Sequence, residues 1–288
     1  MVEGIFNNKL SDVSTTSLLT LYCHGKETKS KNPILQDNKA VELIEKLNPE
    51  LSKLDNNLYR DLVKNKLDRK LVAYITLRAK KYDEYAKEFL QRSPEGIIVN
   101  IGCGLDTRFQ RIDNGKLIFY DLDLPPVISL KKKLLPSSDR YNFLPYSVLN
   151  YEWMEQLDRW RDRPFLFMAE GVFMYLQDRD VKSLVLKLQE EFSGSELICE
   201  VFNSFWLQKP QKKIIDLVLQ GELHIGKEAT FNFGIRDSKE MEKWRSGIEF
   251  IEDWSCLDEP EKKLGLLKFL KHIEIFRKTL WSVRYKLN

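Results

Sequence analysis

Hydrophobic positions along this chain fall into two rhythms. Up to about residue 92 they recur at helical spacing, and from residue 96 onward short apolar runs alternate with amphipathic stretches. In the first part, Leu18-Leu19 and then Ala40, Val41, Leu43, Ile44 and Leu47 mark short helical pieces, separated by Lys29-Ser30-Lys31-Asn32-Pro33. The longest piece runs from about Leu67 to Leu90, with Leu71, Ile75, Tyr82, Tyr85 and Phe89 on one face. Arg78 falls in the middle of that face. A guanidinium turned toward a core needs an acid, either in the protein or on a ligand.

In the second part, the apolar runs 97–101, 117–120, 142–146, 164–169 and 196–202 read as buried strands. Between them, Pro125-Pro126 open a helix to Leu135 with Lys131-Lys132-Lys133 as its solvated side. A short helix covers 151–157, and Val181 to Phe192 form another with Asp178 as its cap. Such alternation predicts an α/β fold, a mostly parallel Rossmann-like sheet covered on both faces. The rhythm breaks over 203–237, where Phe205, Trp206, Phe231 and Phe233 accompany Gly221, Gly226 and Gly234; this insertion reads as a lid over the sheet edge or as a packing excursion. The chain returns through Ile248 to Trp254. Strict alternation over 281–287 predicts an antiparallel last strand with one solvated face. The organisation expected is a helical cap, 1–92, on a core, 93–288, that carries the insertion within one compact unit.

With 288 residues the chain can bury a sizeable core. Its 46 basic and 43 acidic residues are interspersed, so charge gives no argument for a nucleic-acid partner. Cys23, Cys103, Cys199 and Cys256 are too scattered for a zinc site or disulfide framework and fit a reducing cytoplasm. No leader sequence is apparent, and no apolar run approaches the roughly 20 residues of a membrane span.

The chemistry concentrates at strand ends, where open α/β sheets bind ligands. Gly102-Cys103-Gly104 closes the first strand and lets a ligand approach the backbone, while Asp121 and Asp123 end the second, where an acid suits ribose hydroxyls. The third glycine of a dinucleotide site is absent. In its place stands Leu105-Asp106-Thr107, and Asp106 would repel a phosphate while suiting a cation. S-adenosyl-L-methionine has no phosphate and carries a sulfonium and an ammonium. Glu170, after the fourth strand, adds a further acid on that side.

Three stretches, Val99-Asn100-Ile101-Gly102-Cys103-Gly104-Leu105-Asp106-Thr107-Arg108-Phe109, Tyr120-Asp121-Leu122-Asp123-Leu124-Pro125 and Ala169-Glu170-Gly171-Val172-Phe173-Met174-Tyr175-Leu176, resemble the leucine carboxyl methyltransferase family. Within it they are similar to the branch named after tetracenomycin polyketide O-methyltransferases. The likeness extends to Val13-Ser14-Thr15-Thr16, to Asn32-Pro33-Ile34-Leu35-Gln36-Asp37 and to Arg78. It implies a class I methyltransferase fold with S-adenosyl-L-methionine as cofactor and S-adenosyl-L-homocysteine as product. It also implies that Gly102, Cys103 and Gly104 lie under the methionine part, Asp123 on the ribose, Glu170 in the same pocket and Arg78 on the methionyl carboxylate. Lys26 matches a basic residue of the N-terminal segment. Where the family often has an acid near adenine, this chain has Ser147-Val148.

Methyl transfer then requires an acceptor held in line and water excluded. A carboxylate, with an ordinary pKa near ~4, needs no base, whereas a phenol near ~10 benefits from one. Tyr22, His24, Tyr175 and His224 are candidates for shaping or deprotonating the acceptor. The reaction expected is O-methylation of a small-molecule carboxylate or hydroxyl. A protein C-terminal carboxylate as acceptor, a nicotinamide oxidoreductase and a cofactor-binding protein without turnover are the alternatives.

Overall fold

A computed structural model of the chain describes residues 12–213 and 230–288. Four helices come first: α1 (Asp12–Thr28), α2 (Asn38–Leu51), α3 (Asn57–Val63) and α4 (Arg69–Arg92). The last three start where Asp37, Asn56 and Asp68 accept from amides of the first turn, which the helix itself leaves open. α4 is buried on more than the one face its spacing predicts. Ala73 and Leu77 pack with Trp254, Cys256 and Leu264. Ile75, Tyr82 and Phe89 enter a core that also holds Leu18 and Leu43 of the first helices and Ile98, Leu166 and Ile198 of the sheet. The helical layer and the sheet therefore share apolar interior.

The alternating part forms β1 (Ile97–Ile101), α5 (Arg108–Ile112), β2 (Ile118–Asp123), α6 (Pro125–Leu134), β3 (Tyr141–Pro145), α7 (Glu152–Glu155), β4 (Phe165–Ala169), α8 (Asp178–Glu191), β5 (Ser195–Phe202), β6 (Ile248–Trp254) and β7 (Leu280–Leu287). The sheet order is β3-β2-β1-β4-β5-β7-β6. β1 to β5 pair in parallel, and β7 runs antiparallel to both β5 and β6. Strand order reverses between β1 and β4, and that switch opens a crevice beyond their carboxyl ends.

Three local expectations are corrected. Lys131 is not solvated: four residues after Val127, it shares the face of α6 turned to the sheet and sits fully buried, 2.7 Å from Asp121. Asp178 is not the cap of α8. Gln177 holds that position, and Asp178 is the first helical residue, where a negative charge favours the amide end of the helix. The second face of β7 is not solvated either, because α4 lies across it and brings Tyr85 and Glu88 to Arg284. Ser282 and Arg284 are buried there, and Arg284 donates to Glu196, Glu252 and Glu88.

The ends of the 203–237 insertion are integral to the fold. Phe233 and Ile235 are buried in the sheet core, and a Cβ at Gly234 would lie 2.7 Å from the Phe202 carbonyl. Its middle, 214–229, with Gly221, His224 and Gly226, lies outside the described residues.

Candidate active site

The turn after β1 requires its two glycines. Gly102 and Gly104 have φ of 63° and 48°, left-handed values that cost other residues energy. Space excludes a side chain as well: a Cβ would lie 2.4 Å from Val172 at Gly102 and 2.7 Å from Ser17 at Gly104. The amides of Gly102 and Cys103 donate to the Leu122 carbonyl at 2.8 and 3.1 Å, and that of Gly104 to Asp123 Oδ2 at 2.8 Å. This locks the turn to the end of β2. Above it opens a cavity of about 490 Å³, bounded by α1, α4 and the ends of β1, β2, β4 and β5. That size lies within the range of small-molecule sites.

Four carboxylates, Asp106, Asp123, Glu170 and Glu200, and two guanidiniums, Arg78 and Arg108, line the cavity, a formal balance of −2 among the described residues. Arg78 Nε donates to Glu170 at 2.7 Å and its Nη1 to Glu200 at 2.8 Å. Among the described residues its Nη2 has no hydrogen-bond partner. Arg108 is buried and reaches Glu170, Asp106 and Asp83 at 2.5, 2.9 and 2.9 Å. Burial alone would raise the Glu170 carboxyl, but Arg78 and Arg108 outweigh it and hold it below its ordinary range. For Glu200 the balance is reversed. Burial pushes its carboxyl up despite Arg78 and the hydroxyl of Tyr74, which donates to it. Burial likewise raises Asp123 against the amides of Gly104 and Leu124. Beyond this charged region the cavity is apolar, with Met174, Phe202, Phe231, Tyr175 and Leu280 packed together.

A sequence profile of the leucine carboxyl methyltransferase family matches residues 18–189. The chain belongs to this family. It is an S-adenosyl-L-methionine-dependent methyltransferase, which sets aside the oxidoreductase and non-catalytic alternatives. It is 28% identical over 253 residues, 88% of this chain and 86% of the other, to the tetracenomycin polyketide synthesis O-methyltransferase of Streptomyces glaucescens. It is 25% identical over 200 residues, 67% of this chain and 65% of the other, to an S-adenosyl-L-methionine-dependent methyltransferase of Gibberella zeae. A DUF574 family protein of Streptomyces avermitilis shares the fold, with a TM-score of 0.56 at 14% identity over 95% of this chain and 97% of that one.

Of the eleven residues that the methyltransferase sequence offers for cofactor binding, nine line the cavity; Lys26 and Asp121 do not. Lys26 points away, donating to the Asn65 and Leu67 carbonyls at 3.0 and 2.9 Å. Asp121 is held inside the sheet by Lys131, Tyr141 and Asn100. Among the acceptor candidates, His24 and Tyr175 line the cavity. Tyr22 does not, its hydroxyl donating to Asn48 at 2.7 Å in the helical layer. Tyr74 and Glu200 were missed, though each left a signal. Tyr74 stands one helical turn before Arg78, and Glu200 is an acid near the carboxyl end of a fully buried strand. No group of three or more potential metal ligands occurs among the described residues, and no described helix is long and apolar enough to cross a membrane.

The chain's residues fit the cofactor. The glycine turn borders the cavity, Arg78 Nη2 has no partner among the described residues, and the negative balance suits a ligand carrying one net positive charge.

Proposed function

We propose that this methyltransferase methylates an oxygen, carboxylate or hydroxyl, of a small molecule with an apolar body. The observation that carries the reading is the division of the cavity into a charged part and an apolar, largely aromatic part, Met174, Phe202, Phe231 and Tyr175. The cofactor supplies a methyl group already activated on a sulfonium. What remains for the protein is to bind, orient and exclude water. In this reading Asp123 accepts from ribose hydroxyls, Ser147 and Val148 border the adenine, Gly102, Cys103 and Gly104 admit the methionine part, and Arg78 Nη2 donates to its carboxylate. Asp106 and Glu170 are charge-balancing groups, since Arg108 bonds to both.

Tyr175 is a poor base and a good donor. Burial pushes its hydroxyl up to about 12, so at neutral pH it keeps its proton and can hold an acceptor oxygen by donating to it. The four described cysteines are buried free thiols, which accords with a cytoplasmic setting.

Purified enzyme with methyl-labelled S-adenosyl-L-methionine would be given aromatic carboxylic acids, phenols and a peptide with a free C-terminal carboxylate. Base-labile label on the first class marks esters, base-stable label on the second marks ethers, and label on the peptide identifies the protein-carboxylate reaction. Transfer confined to nitrogen or sulfur acceptors would sink the proposal.

A further inference from the structure

His24 lines the cavity, and Asp37 fixes which of its ring nitrogens is the donor. His24 is 2% exposed, and its Nδ1 lies 3.0 Å from Asp37 Oδ2. That carboxylate also accepts from Thr107 at 2.5 Å, Arg111 at 2.7 Å and the Ala40 amide at 2.9 Å. Although burial opposes ionisation, His24, Arg111 and Thr107 bring Asp37 down to about 2. An ionised carboxylate only accepts, so Nδ1 carries the proton, and in the neutral ring Nε2 holds a lone pair. Nε2 is buried and makes no hydrogen bond. A buried acceptor left without a donor is costly unless a ligand satisfies it.

The helical layer thus carries, on two residues that line the cavity, polar atoms without a partner among the described residues. Arg78 on α4 has Nη2, which can only donate, and His24 on α1 has Nε2, which in this tautomer can only accept. An α-amino acid presents the complementary pair, a carboxylate and an ammonium. We propose that His24 accepts a hydrogen bond from the ammonium of the cofactor's methionyl end while Arg78 takes its carboxylate, so that the helical layer recognises the zwitterion as a unit. This rests on the placement of the methionine part at the glycine turn given above. His24 is a cofactor-positioning residue in this scheme, with no part in deprotonating the acceptor.

The test compares S-adenosyl-L-homocysteine with its deamino analogue, which keeps the carboxylate, by calorimetric titration of wild type, His24→Phe and His24→Asn. Phe removes both ring nitrogens; Asn keeps an N–H for Asp37 and lacks an acceptor at the Nε2 position, so it serves if Phe does not fold. Wild type is expected to prefer the amino ligand by about 10- to 150-fold, the range for a hydrogen bond to a charged group. Both variants are expected to lose that preference while binding the deamino ligand about as wild type does. Undiminished discrimination in the folded variants, or equal weakening toward both ligands, would overturn the assignment. Failure of wild type to bind either ligand would overturn the placement at the glycine turn and this inference with it.

Discussion

Arg78→Met tests the centre of the site because it keeps the apolar stem and removes only the guanidinium. The side chain is 13% exposed and bonded to two acids, Glu170 and Glu200. Removing one partner of a buried ion pair costs about 3–5 kcal/mol. Two features keep the loss at the lower end. Glu170 retains Arg108 at 2.5 Å, and Glu200, already raised by burial, can take up a proton once Arg78 is gone. An acid whose folded-state pKa lies above its unfolded value burdens the folded state above that pKa and is relieved as pH falls through it. The expected destabilisation is therefore about 3 kcal/mol at pH 8 and clearly smaller at pH 5.5, read by urea unfolding at both pH values. Loss of the Nη2 donor should also weaken S-adenosyl-L-homocysteine by about 1.5–3 kcal/mol, roughly 10- to 150-fold. Wild-type affinity in a folded variant would refute the ligand contact. A pH-independent loss of stability would refute the account of Glu200.

Three further perturbations probe separate parts of the structure. Lys131→Met leaves Asp121 buried without its cation and should cost about 3 kcal/mol in urea unfolding, yet change cofactor affinity less than twofold, on the order of 0.4 kcal/mol, since neither residue lines the cavity. Gly104→Ala should lose about 1–2 kcal/mol to its left-handed backbone alone and more to Ser17, 2.7 Å from the new Cβ; Ser17→Gly in the same chain should recover only the second part, measured as melting temperature. Asp37, depressed from 3.8 to about 2, contributes stability that is complete above its unfolded pKa and lost as pH falls from about 4 toward 2, roughly 2 kcal/mol in all. Asp37→Asn should flatten that acid limb in denaturation curves taken between those pH values, and an unchanged limb would contradict the assignment.

Much of the fold is legible in the sequence because its signals are local. Apolar runs of five or six residues closed by glycine or acid, such as Ile97 to Gly102 and Phe165 to Glu170, show where the parallel strands end, and with them where the ligand edge lies. What spacing alone did not reveal depends on partners distant in the chain. Lys131 lies in a run of three lysines that has the composition of a solvated face, and only Asp121 arriving from β2 makes burial of one of them tolerable. The alternation of β7 shows two faces but not what covers the second, because Glu88, Glu196 and Glu252 come from three other elements. Lys26 matches a basic residue of the family's N-terminal segment, a match that does not specify which side of α1 faces the cavity. His24, half a turn earlier, lines it together with Thr20 and Ser17.

The buried charges between the helical layer and the cavity form one alternating chain rather than separate pairs. Asp37 is joined by Arg111 to Asp83, Asp83 by Arg108 to Glu170, and Glu170 by Arg78 to Glu200. Its members come in turn from the helical layer, from α5 after the glycine turn and from the ends of β4 and β5. Buried ion pairs contribute little net stability, because desolvation offsets most of the Coulomb gain. Apolar packing between the layers, exemplified by Tyr82 and Phe89 against Ile98 and Leu166, supplies the cohesion instead. What the ionic chain adds is geometry: a planar guanidinium bonded to two or three acids permits few relative positions of the elements that carry them. α1 and α4 are thereby fixed against the glycine turn, and the open Arg78 Nη2 and His24 Nε2 stay at a set spacing before a ligand arrives. Binding then does not have to order them, and the cost of that order is met in folding.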